Sequence, residues 1–463
     1  MTERAAASPP VAAPVAAKPT IEQAILAGPI LPTILRLAAP NVFTVSVQTA
    51  VAVVETWYVG QTGIASLAAL ALVFPMLMLL QTTSAGAMGG GVSSSIARAL
   101  GGGEMAKAQA LIAHAMVIAL AAGAVFSLVF LGLGPALYRL LGGEGEVLGR
   151  ALTYSNILFA GAILVWQQNT LVSVVRGTGN MGLPTVALVG GALVQMVLGG
   201  ALTLGWFGLP ALGIAGIGWG MVGGAGFGIA VTVAHLLGAR ARVRLRFAGV
   251  ALQWRLFKDI LSVGAIASLS SLQTVLTVVV LSGLVARYGT TALAGYGIGA
   301  RLEFLQIPLV FGIGAALVPM VGMNYGAGNG ARAKRVAWIG AAAAGGITGA
   351  IGIIVAVFPG LWAGMFTSDA AVLATAYDYL RIAGPCYGFF GLGLALYFAS
   401  QGSRKVLGPV LAGTLRLVVV VIGGLLIAGA QVHVTWLFAI VGAAMLAYAA
   451  FAAAAVALTR WTR

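Results

Sequence analysis

The sequence has few charged residues and a single cysteine. Lys, Arg, Asp and Glu make up 8% of the 463 residues, whereas soluble domains have about a quarter. Cys386 cannot form an intrachain disulfide and has no CxxC partner, which argues against redox chemistry and thiolate metal sites. There is no HExxH, GxSxG or P-loop motif, and the three histidines lie in separate segments. These absences exclude an ordinary soluble domain and give no support to an enzyme, a metal site or an ATP-driven motor.

Apolar residues are abundant instead. They form 60% of the chain, and the mean hydropathy is +1.04. Long apolar runs, such as residues 117–133 and 410–430, do not alternate with polar residues as the strands of a membrane barrel do. Because a backbone in lipid must satisfy its own hydrogen bonds, helices remain. The sequence therefore predicts an all-α integral membrane protein.

Hydropathy and the positions of charge, glycine and proline predict twelve transmembrane helices of at least the length that crosses a bilayer. They cover residues 36–58, 66–97, 108–133, 150–174, 183–206, 211–237, 259–286, 292–325, 333–358, 371–401, 406–430 and 434–458. With a cytoplasmic N-terminus, 19 basic residues fall inside and three (Arg139, Arg150 and Arg287) fall outside. This bias predicts that both termini are cytoplasmic. The expected location is a bacterial inner membrane. The net charge of +15 is then an orientation signal rather than a sign of nucleic-acid binding.

The chain divides into two similar halves. Gly101, Tyr154, Gly177 and Pro184 recur 225 positions later as Gly326, Tyr379, Gly402 and Pro409, and Leu67-Ala68 recurs 226 positions later as Leu293-Ala294. Six helices per repeat give both copies one orientation, so we expect two six-helix bundles related by a pseudo-two-fold axis, with a cleft between them. The expected domains are a disordered cytoplasmic tail (1–33), an N-lobe (34–238), a basic cytoplasmic linker (239–258), a C-lobe (259–458) and a cytoplasmic C-terminal tail (459–463).

Two glutamates within the spans are candidates for ion coupling, since a charge at bilayer depth costs at least ~3 kcal/mol on insertion scales. Burial of Glu55 would disfavour its charged form, so it could bind and release a proton. The alternative is an interfacial side chain that reaches outside water beside Trp57 and Tyr58. Glu303 follows Arg301 by two positions, a spacing at which helical residues do not face each other, so each needs another partner or a water-filled cavity. A structural charge that holds helices together is the other reading of Glu303.

Uncharged polar residues on apolar helices are candidates for a substrate cavity. Asn41, Gln48 and Glu55 follow one another at intervals of seven, which predicts a polar stripe along the first helix. Each amide could instead form an interhelical hydrogen bond. Arg381 and Arg416 are interpreted as charges near helix ends. The full set of candidate cavity residues is Asn41, Gln48, Asn169, Gln195, Gln273 and Tyr387.

Several motifs between residues 33 and 458 resemble the multidrug and toxic compound extrusion (MATE) family. They include VRGTGN at 175–180, VGMNYGAGN at 321–329, Ala39-Pro40, and Glu55-Thr56 followed by Val59-Gly60. The resemblance implies a V-shaped fold of two six-helix lobes and export of organic cations or amphiphilic compounds, driven by inward flow of protons or sodium. Glu55 occupies the position of an essential carboxylate in the first helix, as Glu rather than the usual Asp.

The chain departs from this family at other acidic positions. Gly199, Thr274 and Phe390 stand where some members carry carboxylates, so a proton is favoured over sodium as the coupling ion, with Glu55 as its main site and Glu303 in support. No other cofactor and no metal are expected. The expected partners are small-molecule organic cations or amphiphiles and membrane lipids, but not nucleic acid, and the protein is expected to be a monomer. The alternative is a flippase of a lipid-linked precursor from the same superfamily, for which Arg301, Arg381 and Arg416 could bind a pyrophosphate.

Overall fold

A computed structural model describes residues 20–246, 249, 251–428 and 432–461 of the chain. Regular secondary structure in these ranges is entirely helical. The helices are α1 (Ile21–Leu26), α2 (Ile30–Gly60), α3 (Ile64–Gln81), α4 (Gly89–Gly101), α5 (Met105–Leu140), α6 (Gly145–Ala160), α7 (Ala162–Gly177), α8 (Gly182–Leu204), α9 (Ile214–Leu237), α10 (Trp254–Ala286), α11 (Thr290–Gly326), α12 (Gly330–Val357), α13 (Gly360–Ala363), α14 (Ala370–Ala383), α15 (Tyr387–Gly402), α16 (Leu407–Ala428) and α17 (Thr435–Leu458).

The helices form twelve potential membrane spans, as the sequence predicts. Eleven are long and apolar enough on their own, and the bent pair α6–α7, which turns by 47° at Gly161, forms the twelfth. A π-helical segment, Thr82–Met88, joins α3 to α4 within one span, Ile64–Gly101. A short 3₁₀ segment, Gly384–Cys386, joins α14 to α15 within the span Ala370–Gly402, which is the counterpart of the bent pair α6–α7 in the second half.

Glycines allow the closest helix packing within each lobe. A Cβ on Gly220 of α9 would lie 2.7 Å from the backbone oxygen of Gln195 on α8, and a Cβ on Gly224 would lie 2.5 Å from that of Gly191. In the second half, a Cβ on Gly345 of α12 would lie 2.9 Å from the backbone oxygen of Gly388 on α15. Side chains at these positions would force the helices apart, so the small residues set the interhelical distance.

The two lobes, α2–α9 and α10–α17, touch near one end of the bundle. We call it the basic end, because arginines and lysines are concentrated in and beside its loops, 101–105, 177–182, 237–246, 326–330 and 402–407. A Cβ on Gly101 of α4 would collide with the backbone oxygen of Met323 on α11, and a Cβ on Gly326 with that of Arg98. A Cβ on Gly91 would lie 2.8 Å from the backbone nitrogen of Gly264 on α10. Backbone therefore meets backbone across the lobes, which closes this end.

The prediction of a disordered tail is wrong for residues 20–33. Thr20 and Gln23 form a capping box at the start of α1, and Ile25 is fully buried. The Asn324 side chain of α11 donates to the backbone oxygen of Ile25 at 3.1 Å. Helix α2 begins at Ile30, six residues before the predicted first span. The predicted disorder of residues 1–19 lies outside the described residues, as do residues 462–463 of the C-terminal tail.

The linker also differs from its predicted extent. Helix α10 begins at Trp254, so the last five residues of the predicted segment 239–258 already belong to it. Arg242 of this segment forms an ion pair with Glu22 of α1 at 2.5 Å. The basic linker and the N-terminal helix are thus held together at the basic end.

Candidate functional site

Glu55 and Gln195, both predicted from the sequence, meet inside the N-lobe. Glu55 of α2 is 9% exposed, and the Gln195 side-chain nitrogen of α8 donates to its two carboxylate oxygens at 2.9 and 3.1 Å. The neighbouring Trp57 is 58% exposed. The carboxyl group is therefore turned into the lobe, and this geometry favours the buried reading of Glu55 over the interfacial one.

Position 199, where some family members are expected to carry a carboxylate, is a glycine in this chain. This glycine packs on α9, where a Cβ would lie 3.7 Å from the Cα atoms of Gly220 and Ile217. One position further, a Cβ on Gly200 would lie 2.8 Å from the ring of Tyr58, a buried residue of α2. Helices α2, α8 and α9 thus meet closely around the Glu55 carboxyl group, which has Gln195 as its hydrogen-bond partner.

The other N-lobe candidates lie in different surroundings. The Asn41 side-chain nitrogen donates to the backbone oxygen of Leu37 in its own helix at 3.1 Å, and the residue is buried. Gln48 is exposed. The Asn169 nitrogen donates to the hydroxyl oxygen of Ser84 at 2.8 Å, which links α7 to the π-helical segment. The alternative of an interhelical hydrogen bond therefore describes Asn169, while a substrate-binding role for all three stays a prediction.

The C-lobe candidates are buried. The Gln273 nitrogen of α10 donates to the hydroxyl oxygen of Thr414 on α16 at 2.7 Å. Tyr387, at the start of α15, is fully buried. Both residues lie within the C-lobe, and their contribution to a substrate cavity also stays a prediction.

Glu303 has a positively charged partner, although not Arg301. A guanidinium nitrogen of Arg416 lies 2.6 Å from one carboxylate oxygen, and the Tyr379 hydroxyl donates to the other at 3.0 Å. Arg301 lies over the ring of Phe366 instead, 5.4 Å from its centroid. The interpretation of Arg416 as a helix-end charge is wrong, because it is only 8% exposed within α16. Glu303 is therefore charge-balanced in this state, and its part in ion coupling stays a prediction.

Four charged residues that the sequence patterns did not single out as a site form a cluster around Asp259, which we call the Asp259 cluster. Its carboxylate lies 2.8 Å from a guanidinium nitrogen of Arg98, 3.3 Å from the amine of Lys107 and 3.5 Å from a guanidinium nitrogen of Arg404. The Ser95 hydroxyl also donates to the backbone oxygen of Asp259 at 3.2 Å. Arg98 and Lys107 belong to the N-lobe, and the other two charged residues to the C-lobe. A sequence clue existed, since Asp259 is the only acid in the basic segment 239–259.

Comparison with known proteins agrees with this architecture. The MatE family model matches residues 40–200 and 265–426. The FAD transporter of Shewanella oneidensis is 23% identical over 412 residues, which cover 86% of this chain and 88% of that protein. A probable multidrug resistance protein NorM of Deinococcus radiodurans is 28% identical over 421 residues, covering 85% and 87%.

A solved structure has the same fold. It is described as the outward-facing conformation of a multidrug resistance MATE family transporter of the MOP superfamily. It superposes with a TM-score of 0.83 at 22% identity, covering 94% of this chain and 97% of the other. The family match extends over both lobes, including α2 with Glu55 and α11 with Glu303. The chain thus belongs to the MatE family of multi-pass membrane transporters, in which the Deinococcus relative is named a probable multidrug resistance protein, and it is a transporter, not an enzyme.

Proposed function

We propose that this transporter exports organic cations or amphiphilic compounds in exchange for protons, with Glu55 as the proton-binding group. The observation that carries the proposal is the buried Glu55 carboxyl group held by Gln195 at 2.9 and 3.1 Å. A carboxyl group with one amide partner in apolar surroundings can exist neutral or charged, and a small change in its contacts shifts that balance.

The same contact favours a proton over sodium. The Gln195 side chain turns its nitrogen, a hydrogen-bond donor, toward both oxygens of Glu55. A sodium ion would need several oxygen ligands around it, and Gly199 supplies no side-chain oxygen there. A proton needs only the carboxylate itself.

Orientation follows from the distribution of charge. The basic end carries the arginine- and lysine-rich loops, so we assign it to the cytoplasm, with both termini inside. The lobes touch at that end, which corresponds to a state closed to the cytoplasm. In this state Glu55 takes up a proton and substrate leaves outward. When the lobes rock apart at the basic end, the proton leaves inward and a new substrate enters. Each proton supplies about 2.3 kcal/mol per 100 mV of membrane potential.

Transport in proteoliposomes with separate pH and sodium gradients tests this proposal. A pH gradient should drive export of organic cations by the wild-type protein, and Glu55→Gln should abolish that export while the folded protein is retained. Gln195→Leu should weaken export without abolishing it. The matched control is Glu146→Gln, which alters an exposed acid paired with Arg150 at 2.6 Å. Proton-driven export by the Glu55 variant, or export driven by sodium alone, would contradict the proposal.

An anionic substrate is the second candidate, since one relative carries the name FAD transporter. The flippase alternative depends on free arginines for a pyrophosphate. Arg416 is already paired with Glu303 at 2.6 Å, which leaves Arg301 and Arg381, beside the rings of Phe366 and Tyr377, for that role. Including an anionic compound such as FAD in the transport panel would distinguish this candidate from cation export.

A further inference from the structure

A small cavity lies between the two lobes, next to the contacts that close the basic end. We call it the floor cavity. The α11 residues that line it are N-terminal to Met323, and the α4 residues that line it are N-terminal to Arg98. Its volume is about 20 Å³, which is room for one water-sized group. The residues that line it include Gly89, Ser93, Ser173 and Arg176 of the N-lobe and Phe311 and Phe398 of the C-lobe.

Arg176 brings an unbalanced positive charge to this cavity. It is 6% exposed, and its guanidinium forms no ion pair or hydrogen bond with the part of the chain that the structure describes. Its Nε atom is buried without a partner. The guanidinium lies over the ring of Phe311, 5.7 Å from its centroid. An aromatic face stabilises a cation but leaves the hydrogen-bond donors at its edge unused.

Two other arginines in the described ranges are deeply buried, and both have acidic partners. Arg98 lies 2.8 Å from a carboxylate oxygen of Asp259, and Arg416 lies 2.6 Å from one of Glu303. A buried charge without such a partner carries a desolvation penalty of several kcal/mol. Arg176 therefore lies in an environment suited to an ion pair, and a bound anion could supply the negative charge.

A second unused donor lines the same cavity. The Ser93 hydroxyl is buried and has no hydrogen-bond partner, whereas the Ser173 hydroxyl donates to the backbone oxygen of Asn169 at 2.7 Å. Space here depends on glycine, since a Cβ on Gly89 would lie 2.5 Å from the Ser173 hydroxyl oxygen. Residues of the adjoining π-helical segment also line the cavity, and such segments often occur at functional sites.

We propose that Arg176 and Ser93 bind an oxyanion, either a carboxylate or a phosphate group, at the floor of the cleft. The cavity has room for one oxygen atom of such a group, so the rest of the anion would extend from it between the lobes, away from the basic end. The site goes beyond proton coupling at Glu55, because it adds compounds with an acidic group to the ligands of the transporter.

Thermal unfolding of the detergent-solubilised full-length protein tests this site. Phosphate, acetate and benzoate are titrated at constant ionic strength. The melting temperature of the wild-type protein should rise and saturate with at least one of these anions. Ser93→Ala should weaken the apparent affinity roughly tenfold, the loss expected for one hydrogen bond to a charged group. Arg176→Gln should remove the saturating response.

A matched control is Arg301→Gln. Arg301 also lies over a phenylalanine ring, at 5.4 Å, but it is exposed and does not line the floor cavity. This variant should respond to the anions as the wild-type protein does. Without added anion, Arg176→Gln should melt at the same temperature as the wild-type protein or higher, because it removes a buried charge that has no partner.

The results distinguish binding of a simple oxyanion from binding of a larger organic acid. They also distinguish this site from proton coupling at Glu55. Similar affinities for phosphate, acetate and benzoate would indicate that the site binds the oxyanion group alone, and at least tenfold tighter binding of benzoate would indicate that the body of an organic acid also contributes; both support the site. No saturable shift with any anion, an unchanged shift in Arg176→Gln, or a lower melting temperature of that variant without anion would overturn it. Glu55→Gln should keep the response, so failure of proton coupling would leave this site standing.

Discussion

Replacing Asp259 with Asn should open the basic end of the transporter. The Arg98–Asp259 pair joins the two lobes at 2.8 Å, with both side chains less than a tenth exposed. Removing one partner of a buried pair costs about 3–5 kcal/mol. Lys107 and Arg404, with 29% and 44% of their side chains exposed, add at most ~1 kcal/mol each because water screens them.

This loss applies mainly to the closed state, since Arg98 and Asp259 belong to different lobes and become hydrated when the lobes separate. A loss of about 4 kcal/mol would shift the balance between closed and open states roughly a thousandfold toward the state open at the basic end.

Cysteine labelling can measure this shift. Ala97 is fully buried and packs against Gly322 across the lobes, so Ala97→Cys, in a background where Cys386 is changed to Ser, should react slowly with a membrane-impermeant maleimide. Adding Asp259→Asn should accelerate labelling strongly. Glu146→Gln, which alters an exposed ion pair within the N-lobe, should not. Unchanged labelling in a folded Asp259→Asn protein would refute the idea that this cluster holds the lobes together.

Three further predictions follow from contacts described above. Gly101→Ala places a methyl group against a backbone oxygen of the other lobe, so it should also accelerate labelling; Gly346→Ala, with nothing within 4 Å of its new methyl group, should leave the rate unchanged. Glu303→Gln should lower the free energy of unfolding by about 3–5 kcal/mol by leaving Arg416 buried without its partner; a thermal melt checks this, and a second change, Arg416→Gln, should restore part of the loss. Asn324→Ala should speed hydrogen exchange in α1 by removing the one hydrogen bond from this side chain to Ile25, which contributes about 1 kcal/mol; unchanged exchange would argue against anchoring of α1 by this side chain.

The fold was largely predictable because hydropathy and repeat spacing are local properties of the chain. Twelve spans and two lobes follow from them, and Glu55 could be singled out as an acid in an apolar segment. Its partner could not be identified, since Gln195 lies 140 positions away. Counting basic residues assigned Arg98 and Arg176 to cytoplasmic loops, although both are buried, because the count does not consider how helix ends pack between lobes.

The prediction for the N-terminal region was wrong for a different reason. Several prolines before Pro40 favoured a disordered tail, yet the capping box of Thr20 and Gln23 could have been read from the sequence as a helix start. The docking of this helix on Asn324 could not, because it depends on contacts between residues about 300 positions apart.

The π-helical segment Thr82–Met88 coincides with a difference in length between the two halves of the chain. In the first half, Ala68 and Gly101 are 33 positions apart, whereas their counterparts Ala294 and Gly326 are 32 apart. The additional residue lies in the stretch that contains the π-helix, while the equivalent helix α11 is continuous. Inserting one residue into an α-helix either turns everything beyond it by about 100° or is absorbed as a wider turn. One additional residue absorbed in this way accounts for both the wider turn and the change in repeat offset, and it leaves Arg98 facing the opposite lobe.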